Sequence, residues 1–114
     1  MPDKIKSVGF DLVDIARFKR LKKGDPFLKK VFTDQERTYC FARKAPAPHL
    51  AGIFAAKEAV LKALGANKFF FKDIEVRHAS SGQPEIWLKT KRSNGVYISI
   101  SHTKITAGAI AIVN

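Results

Sequence analysis

A single cysteine, Cys40, is all that the 114 residues contain, so no internal disulfide can form and the chain must be held by packing. Cys40 lies between Tyr39 and Phe41, an aromatic stretch that reads as a packed helix face and argues against a catalytic thiol. No apolar run approaches the ~20 residues that a membrane-spanning helix needs. The first residues, Met1-Pro2-Asp3-Lys4, lack the apolar core of a secretory signal, so a cytoplasmic protein with no membrane segment is expected. Repeats, low-complexity tracts and Ser/Gly linkers are missing as well, and a single domain over residues 1–114 is expected. Acidic residues are scarce: Asp+Glu number 10 against 21 Lys+Arg, a formal charge of +11. That excess draws anionic partners from a distance. By itself it does not choose among nucleic acid, a phosphate-rich cofactor, an acidic protein and a membrane surface.

Hydrophobic residues make up 46% of the chain, enough for one modest core. Val8, Phe10 and Leu12 alternate with Gly9 and Asp11, the period of a half-buried strand, which puts Asp11 on the face opposite the apolar residues. From Val13 the spacing of Leu12, Ile15, Ala16 and Phe18 predicts a helix with Asp14 near its start and a Lys/Arg-rich tail before Gly24. Thr33-Asp34-Gln35-Glu36 has the form of a capping box and predicts a helix from there to about Lys44. Ala45-Pro46-Ala47-Pro48 reads as a loop, and a third helix is expected over Leu50–Leu64, closed by Gly65 in a left-handed conformation. Beyond it, Ile74 and Val76, a turn at Ser80–Gln83, and Ile86 and Leu88 predict a hairpin with Pro84 at its edge. Asn94-Gly95 signals a tight turn before Val96, Ile98 and Ile100, which face away from Tyr97, Ser99 and Ser101. A closing strand is expected over Ala107–Val113. Helices first and antiparallel strands second make an α+β fold with a sheet covered on one side.

Glu58 and Lys62 stand four apart and share a helical face with Phe54 and Leu61. As a surface pair they would support the helix by a few tenths of a kcal/mol. Asp11 adds a second carboxylate within an apolar strand, where burial without a cation or donors is costly. Mg²⁺ typically takes one or two carboxylates and completes its octahedron with substrate phosphates and water, so Asp11 and Glu58 suffice, with Lys62 meeting the same phosphates. Ser99, Ser101 and His102 offer donors for phosphate oxygens, although such residues more often face solvent or cap a turn.

Five blocks occur in one order: Val8 to Asp14, Phe32 to Glu36, Phe54 to Gly65, Gly82-Gln83-Pro84, and Ser99 to Thr103. The whole resembles the bacterial holo-acyl-carrier-protein synthases, and the Phe54-Ala55-Ala56-Lys57-Glu58-Ala59 block with Lys62 and Gly65 is its most specific part. The resemblance implies a 4′-phosphopantetheinyl transferase fold. It also implies a Mg²⁺-dependent transfer of phosphopantetheine from coenzyme A to a serine of apo-acyl carrier protein, in support of lipid biosynthesis. Asp11 and Glu58 match its metal ligands, and Lys62 its phosphate-binding lysine. Gly65, Gly82, Pro84, His102 and Thr103 fall where coenzyme A is held, and Lys44 aligns with a contact to the 3′-phosphate. Arg17 matches a contact to the acidic helix of the carrier protein, and Lys19, Arg20, Lys22 and Lys23 extend that patch. The proton of the attacking serine would pass to Glu58 or to a water at the metal. A homotrimer with sites between subunits is also implied. Ile53 departs from the pattern, since the family usually has arginine there, and Lys44 or Lys68 would have to compensate.

Two rival readings remain at this point. Phe69-Phe70-Phe71 between Lys68 and Lys72 could stack unpaired bases, but an RNA-binding module leaves Asp11 and Glu58 unexplained and lacks an aromatic RNA-binding strand pattern. A binding protein that has lost transfer conflicts with the intact Asp11, Glu58 and Lys62 set.

Overall fold

The computed structural model describes residues 4–65 and 67–114. Strand β1 (Ser7–Asp14) runs into one helical turn, α1 (Ala16–Lys19), and then come α2 (Pro26–Val31), α3 (Asp34–Phe41) and α4 (Pro46–Leu64). After a 3₁₀ turn at Phe71–Asp73 come β2 (Ile74–His78), β3 (Pro84–Leu88), β4 (Lys91–Arg92), β5 (Val96–His102) and β6 (Thr106–Val113). The α+β order is as expected, but the strands form two antiparallel sheets of three, β1-β6-β5 and β2-β3-β4, where one was expected. The split occurs at Asn94-Gly95, which carries the chain from one sheet to the other rather than turning a hairpin. Gly95 accepts from the Asn114 amide at 3.0 Å, and the primed turn falls instead on Lys89 and Thr90, at φ +47° and +73°.

Three helix boundaries differ from the sequence reading, each for a local reason. β1 keeps Val13 and Asp14, because pairing with Ala107 and Thr106 of β6 satisfies their backbone groups. Only one turn of helix is therefore left after Asp14; the basic tail up to Gly24 is irregular, and α2 follows it, its start fixed by Asp25 accepting from the Phe27 amide at 2.9 Å with Pro26 in the first position. The capping box at Thr33 and Glu36 forms as expected, but α3 ends at Phe41 rather than near Lys44. Of the supposed loop, Ala45 is the extended residue that precedes α4 and Pro46–Pro48 lie in its first turn, where a proline's missing N–H leaves no helical bond unmade.

Helix α4 is the centre of the core. Ala51, Ala55, Ala56, Ala59 and Ala63 are buried on it, small enough for the first sheet to come close, and Ala107, Ala109 and Ala111 of β6 meet them from the other side. The approach is closest at Gly9, where a Cβ would lie 1.9 Å from the Ala59 carbonyl oxygen. Backbone cannot yield there as a side chain can. Gly9→Ala is expected to cost about 3 kcal/mol, the upper end of overpacking, measurable as a lower denaturation midpoint. A variant as stable as the parent would show that β1 does not lie against α4 in this way.

The opposite face of the first sheet is left open. Val8, Phe10 and Leu12 of β1 and Ile110 of β6 are exposed there, while Gly9, Asp11 and Val13 turn toward α4. Asp11 thus lies on the face opposite the apolar residues, as expected, but the apolar set faces outward.

Candidate active site

β1 presents Asp11 to α4 with its side chain only 15% exposed. Lys62, near the end of α4, donates from Nζ to Asp11 Oδ1 at 3.0 Å and to the Phe10 carbonyl at 3.0 Å. Glu58 stands one helical turn earlier, half-buried. Burial and the nearby Asp11 carboxylate push its carboxyl above the ordinary range, against the opposing charges of Lys62 and Arg17. Arg17, on α1, lies over the Phe54 ring at 5.4 Å, so it borders this group as well as the exposed basic surface. Two carboxylates and two cations therefore converge where β1, α1 and α4 meet.

The remaining candidates are spread more widely. Gly65 closes α4 at φ +102°, a positive angle as expected although outside the left-handed helical well. Gly82 turns the β2–β3 hairpin at φ +90°, and Pro84 opens β3 opposite His78. Gly82, Pro84, Ser99 and His102 line a cavity of roughly 350 Å³. Thr103 and His102 border a larger one of about 690 Å³ with Lys19, and neither cavity is lined by Asp11, Glu58 or Lys62. The Thr103 hydroxyl is engaged in its own turn, accepting from the Ile105 and Thr106 amides at 3.2 and 3.1 Å. Lys44 and Arg20 are exposed, the first between α3 and α4 and the second at the end of α1.

Two oxygen donors facing one another across β1 and α4, close enough to raise Glu58, suit a divalent cation whose other positions come from phosphate and water. Among the described residues no group of three or more His, Cys, Asp or Glu is placed to hold a metal without such help. Base-stacking receives less support. Phe71 stacks on Phe54 at 5.6 Å and Phe69 packs against the core, which leaves Phe70 alone exposed.

Residues 7–113 match the 4′-phosphopantetheinyl transferase superfamily. The chain belongs to that superfamily. It is 45% identical to a holo-[acyl-carrier-protein] synthase of Thermodesulfovibrio yellowstonii, over 96% of this chain and 98% of that protein. It is 40% identical to one from Caldanaerobacter subterraneus, over 92% and 91%. Among solved structures, the Bacillus anthracis holo-(acyl-carrier-protein) synthase in complex with CoA (3′,5′-ADP) superposes with a TM-score of 0.80 at 32% identity, covering 96% of each chain. The Helicobacter pylori synthase in complex with coenzyme A gives 0.78 at 30% identity, over 94% of this chain and 99% of that one.

In this phosphopantetheinyl transferase two residues next to the site escaped the sequence reading. Gly9 is one, its signal being a glycine inside a strand two residues before a carboxylate. The other is Lys57, wholly buried beside Glu58 and donating to Glu36 Oε1 at 2.6 Å. Glu36 also accepts from the Thr33 and Val76 amides at 2.9 and 2.8 Å, tying α3, α4 and β2 together. Cys40, buried and near Glu36, has its thiol pushed up to about 12 by desolvation and that carboxylate, which fits packing rather than nucleophilic work.

Proposed function

We propose that this chain is, as a single domain, a holo-acyl-carrier-protein synthase that moves 4′-phosphopantetheine from coenzyme A to a serine of apo-acyl carrier protein and releases 3′,5′-ADP. The observation that carries this reading is the convergence of Asp11, Glu58, Lys62 and Arg17 in a member of the superfamily. The serine oxygen attacks the pantetheine-side phosphorus, and the bond from that phosphorus to the bridging oxygen breaks. The Glu58 carboxylate, made more basic by its burial and by Asp11, is the side chain suited to receive the serine proton. Lys62 leaves Asp11 for the phosphate oxygens, and with Arg17 it offsets the charge that builds on the departing 5′-phosphate of 3′,5′-ADP. Asp11 and Glu58 would hold Mg²⁺, which supplies charge neutralisation and polarises the phosphorus.

The basic surface around Arg17, Lys19 and Arg20 fits the acidic carrier protein. Lys44, Gly65, Gly82, Pro84, His102 and Thr103 are read as the coenzyme A side of the site. The open apolar face of Val8, Phe10, Leu12 and Ile110 supports association of three copies. No helix among the described residues is long and apolar enough to cross a membrane, and a cytoplasmic location is part of the proposal.

Incubation with coenzyme A, Mg²⁺ and an apo-acyl carrier protein should add one phosphopantetheine to the carrier, seen by intact mass, and chelator should abolish it. The same preparation should sediment at three times the chain mass. A carrier that another transferase modifies but this chain leaves untouched would refute the transfer.

A further inference from the structure

Asp11 and the cation that holds it are unequal in freedom. The Asp11 side chain is 15% exposed and that of Lys62 53%. Lys62 Nζ is shared between Asp11 Oδ1 and the Phe10 carbonyl, and among the described residues no other cation pairs with Asp11. Arg17, the second cation of the group, lies instead over the Phe18 and Phe54 rings at 5.8 and 5.4 Å. A mostly buried carboxylate without a cation is costly, so Lys62 is what makes Asp11 tolerable on β1. Glu58 makes no ion pair among the described residues, and burial and Asp11 both disfavour its charge.

The backbone beside this pair cannot follow a moving charge. Ser7 Oγ donates to the Ala63 carbonyl in the last turn of α4 at 2.5 Å, and Gly9 lies against Ala59. β1 is thereby fastened to α4 at the residues that follow Lys62 and Glu58. What can move is the Lys62 side chain, a flexible stem already half in solvent. Two demands meet on it. Its ammonium competes with a divalent cation for Asp11, since like charges so close repel. A phosphate anion draws it away from Asp11. Lys62 has to part from Asp11 for either ligand, and when both bind it parts only once. Each ligand therefore makes the other easier to bind, and such coupling is reciprocal.

We propose that Lys62 is a resident stand-in for the divalent cation, holding Asp11 until a metal takes its place and coupling metal binding to phosphate binding. The inference rests on the transferase reading for the identity of the anion, the diphosphate of coenzyme A; the competition at Asp11 does not depend on it. The exchange makes and breaks no covalent bond. Its consequence is regulatory: the chain alone holds a divalent cation weakly, because Lys62 already occupies Asp11, and holds it firmly once the coenzyme has drawn Lys62 aside.

The test counts free Mn²⁺ by electron paramagnetic resonance in titrations of the intact protein, without carrier, in the absence of coenzyme A and at its saturation, after subtraction of the Mn²⁺ that coenzyme A itself holds. Lys62→Met is expected to bind Mn²⁺ about fivefold more tightly than the parent when no coenzyme is present, the upper end for a half-exposed ion pair. With coenzyme A bound that advantage should disappear, because in the parent Lys62 has already left Asp11. Lys62→Arg keeps a cation on the stem and should stay near the parent in both conditions. Melts in chelator add a second readout: Lys62→Met should unfold at a lower temperature than the parent, and Mn²⁺ should raise its melting temperature by more. Should Lys62→Met fail to fold, Lys62→Gln takes its place. A neutral variant that binds Mn²⁺ no more tightly than the parent, or that keeps its full advantage with coenzyme A bound, overturns the stand-in role, as does a parent that binds no Mn²⁺ in either condition. Transfer to the carrier is measured alongside on the parent. Transfer without the gain in Mn²⁺ affinity sinks the stand-in and spares the transferase reading. The gain without transfer keeps Lys62 as the competitor at Asp11 and removes that reading.

Discussion

Glu58→Gln is expected to lower phosphopantetheine transfer roughly 10²–10⁴-fold, the range for loss of a positioned general base, while the melting temperature stays at or above that of the parent. The two halves of this result come from the same contacts. Glu58 is half-buried and faces Asp11, and both conditions disfavour its charged form more than Lys62 and Arg17 favour it. Its folded-state pKa is therefore above the unfolded value, and between the two the native state holds more protons than the unfolded one. Stability then falls as pH rises through that window. An uncharged amide of the same shape removes the slope and the repulsion, yet offers no oxygen that can take a proton. A variant that still transfers would show that this carboxylate is dispensable, and a variant that melts lower would show that Glu58 makes a stabilising contact instead of opposing Asp11.

The same displacement should appear in a direct titration of the Glu58 carboxyl in the Mg²⁺-free protein, which is expected to lie above the ordinary carboxylate range; Asp11→Asn removes one cause of that shift and should move the titration downward.

Much of this site could be read from spacing. Glu58 and Lys62 share a face because helical period puts them there, and Asp11 stands out because a carboxylate in an apolar strand needs a partner. The capping box at Thr33 and Glu36 is a local motif and formed as written. What spacing cannot carry is pairing between distant segments. The change of pattern after Leu12 predicts helix at Val13 and Asp14, but β6 claims their backbone. Pro46 and Pro48 looked like a loop because proline interrupts helices, although the first turn is where proline costs least. Gly9 was legible as a glycine but not as a contact, since Ala59 is far away in sequence.

Lys57 is the clearest case of a residue whose role is invisible locally and large in the fold. Its ammonium and the Glu36 carboxylate are both fully buried at 2.6 Å. Burial pushes Glu36 up and Lys57 down, while their mutual attraction and the Thr33 and Val76 amides act against this. Lys57→Met leaves the carboxylate without its cation, and is expected to cost about 3–5 kcal/mol, the range for breaking a buried pair on one side. The deficit has a direction in pH. Without Lys57 the folded-state pKa of Glu36 rises further above its unfolded value, so the native state clings to a proton that the unfolded chain releases. The variant should therefore lose stability, relative to the parent, as pH is raised from about 5 to 8. Adding Glu36→Gln removes the charge that has to be buried and keeps a residue that can complete a capping box, so the double variant should recover part of the loss and show no such slope. Denaturant melts of the parent, the single variant and the double variant at the two pH values decide it. A single-variant cost below about 1 kcal/mol would place the pair with exposed ion pairs, and α3, α4 and β2 would then be held in register by apolar packing alone.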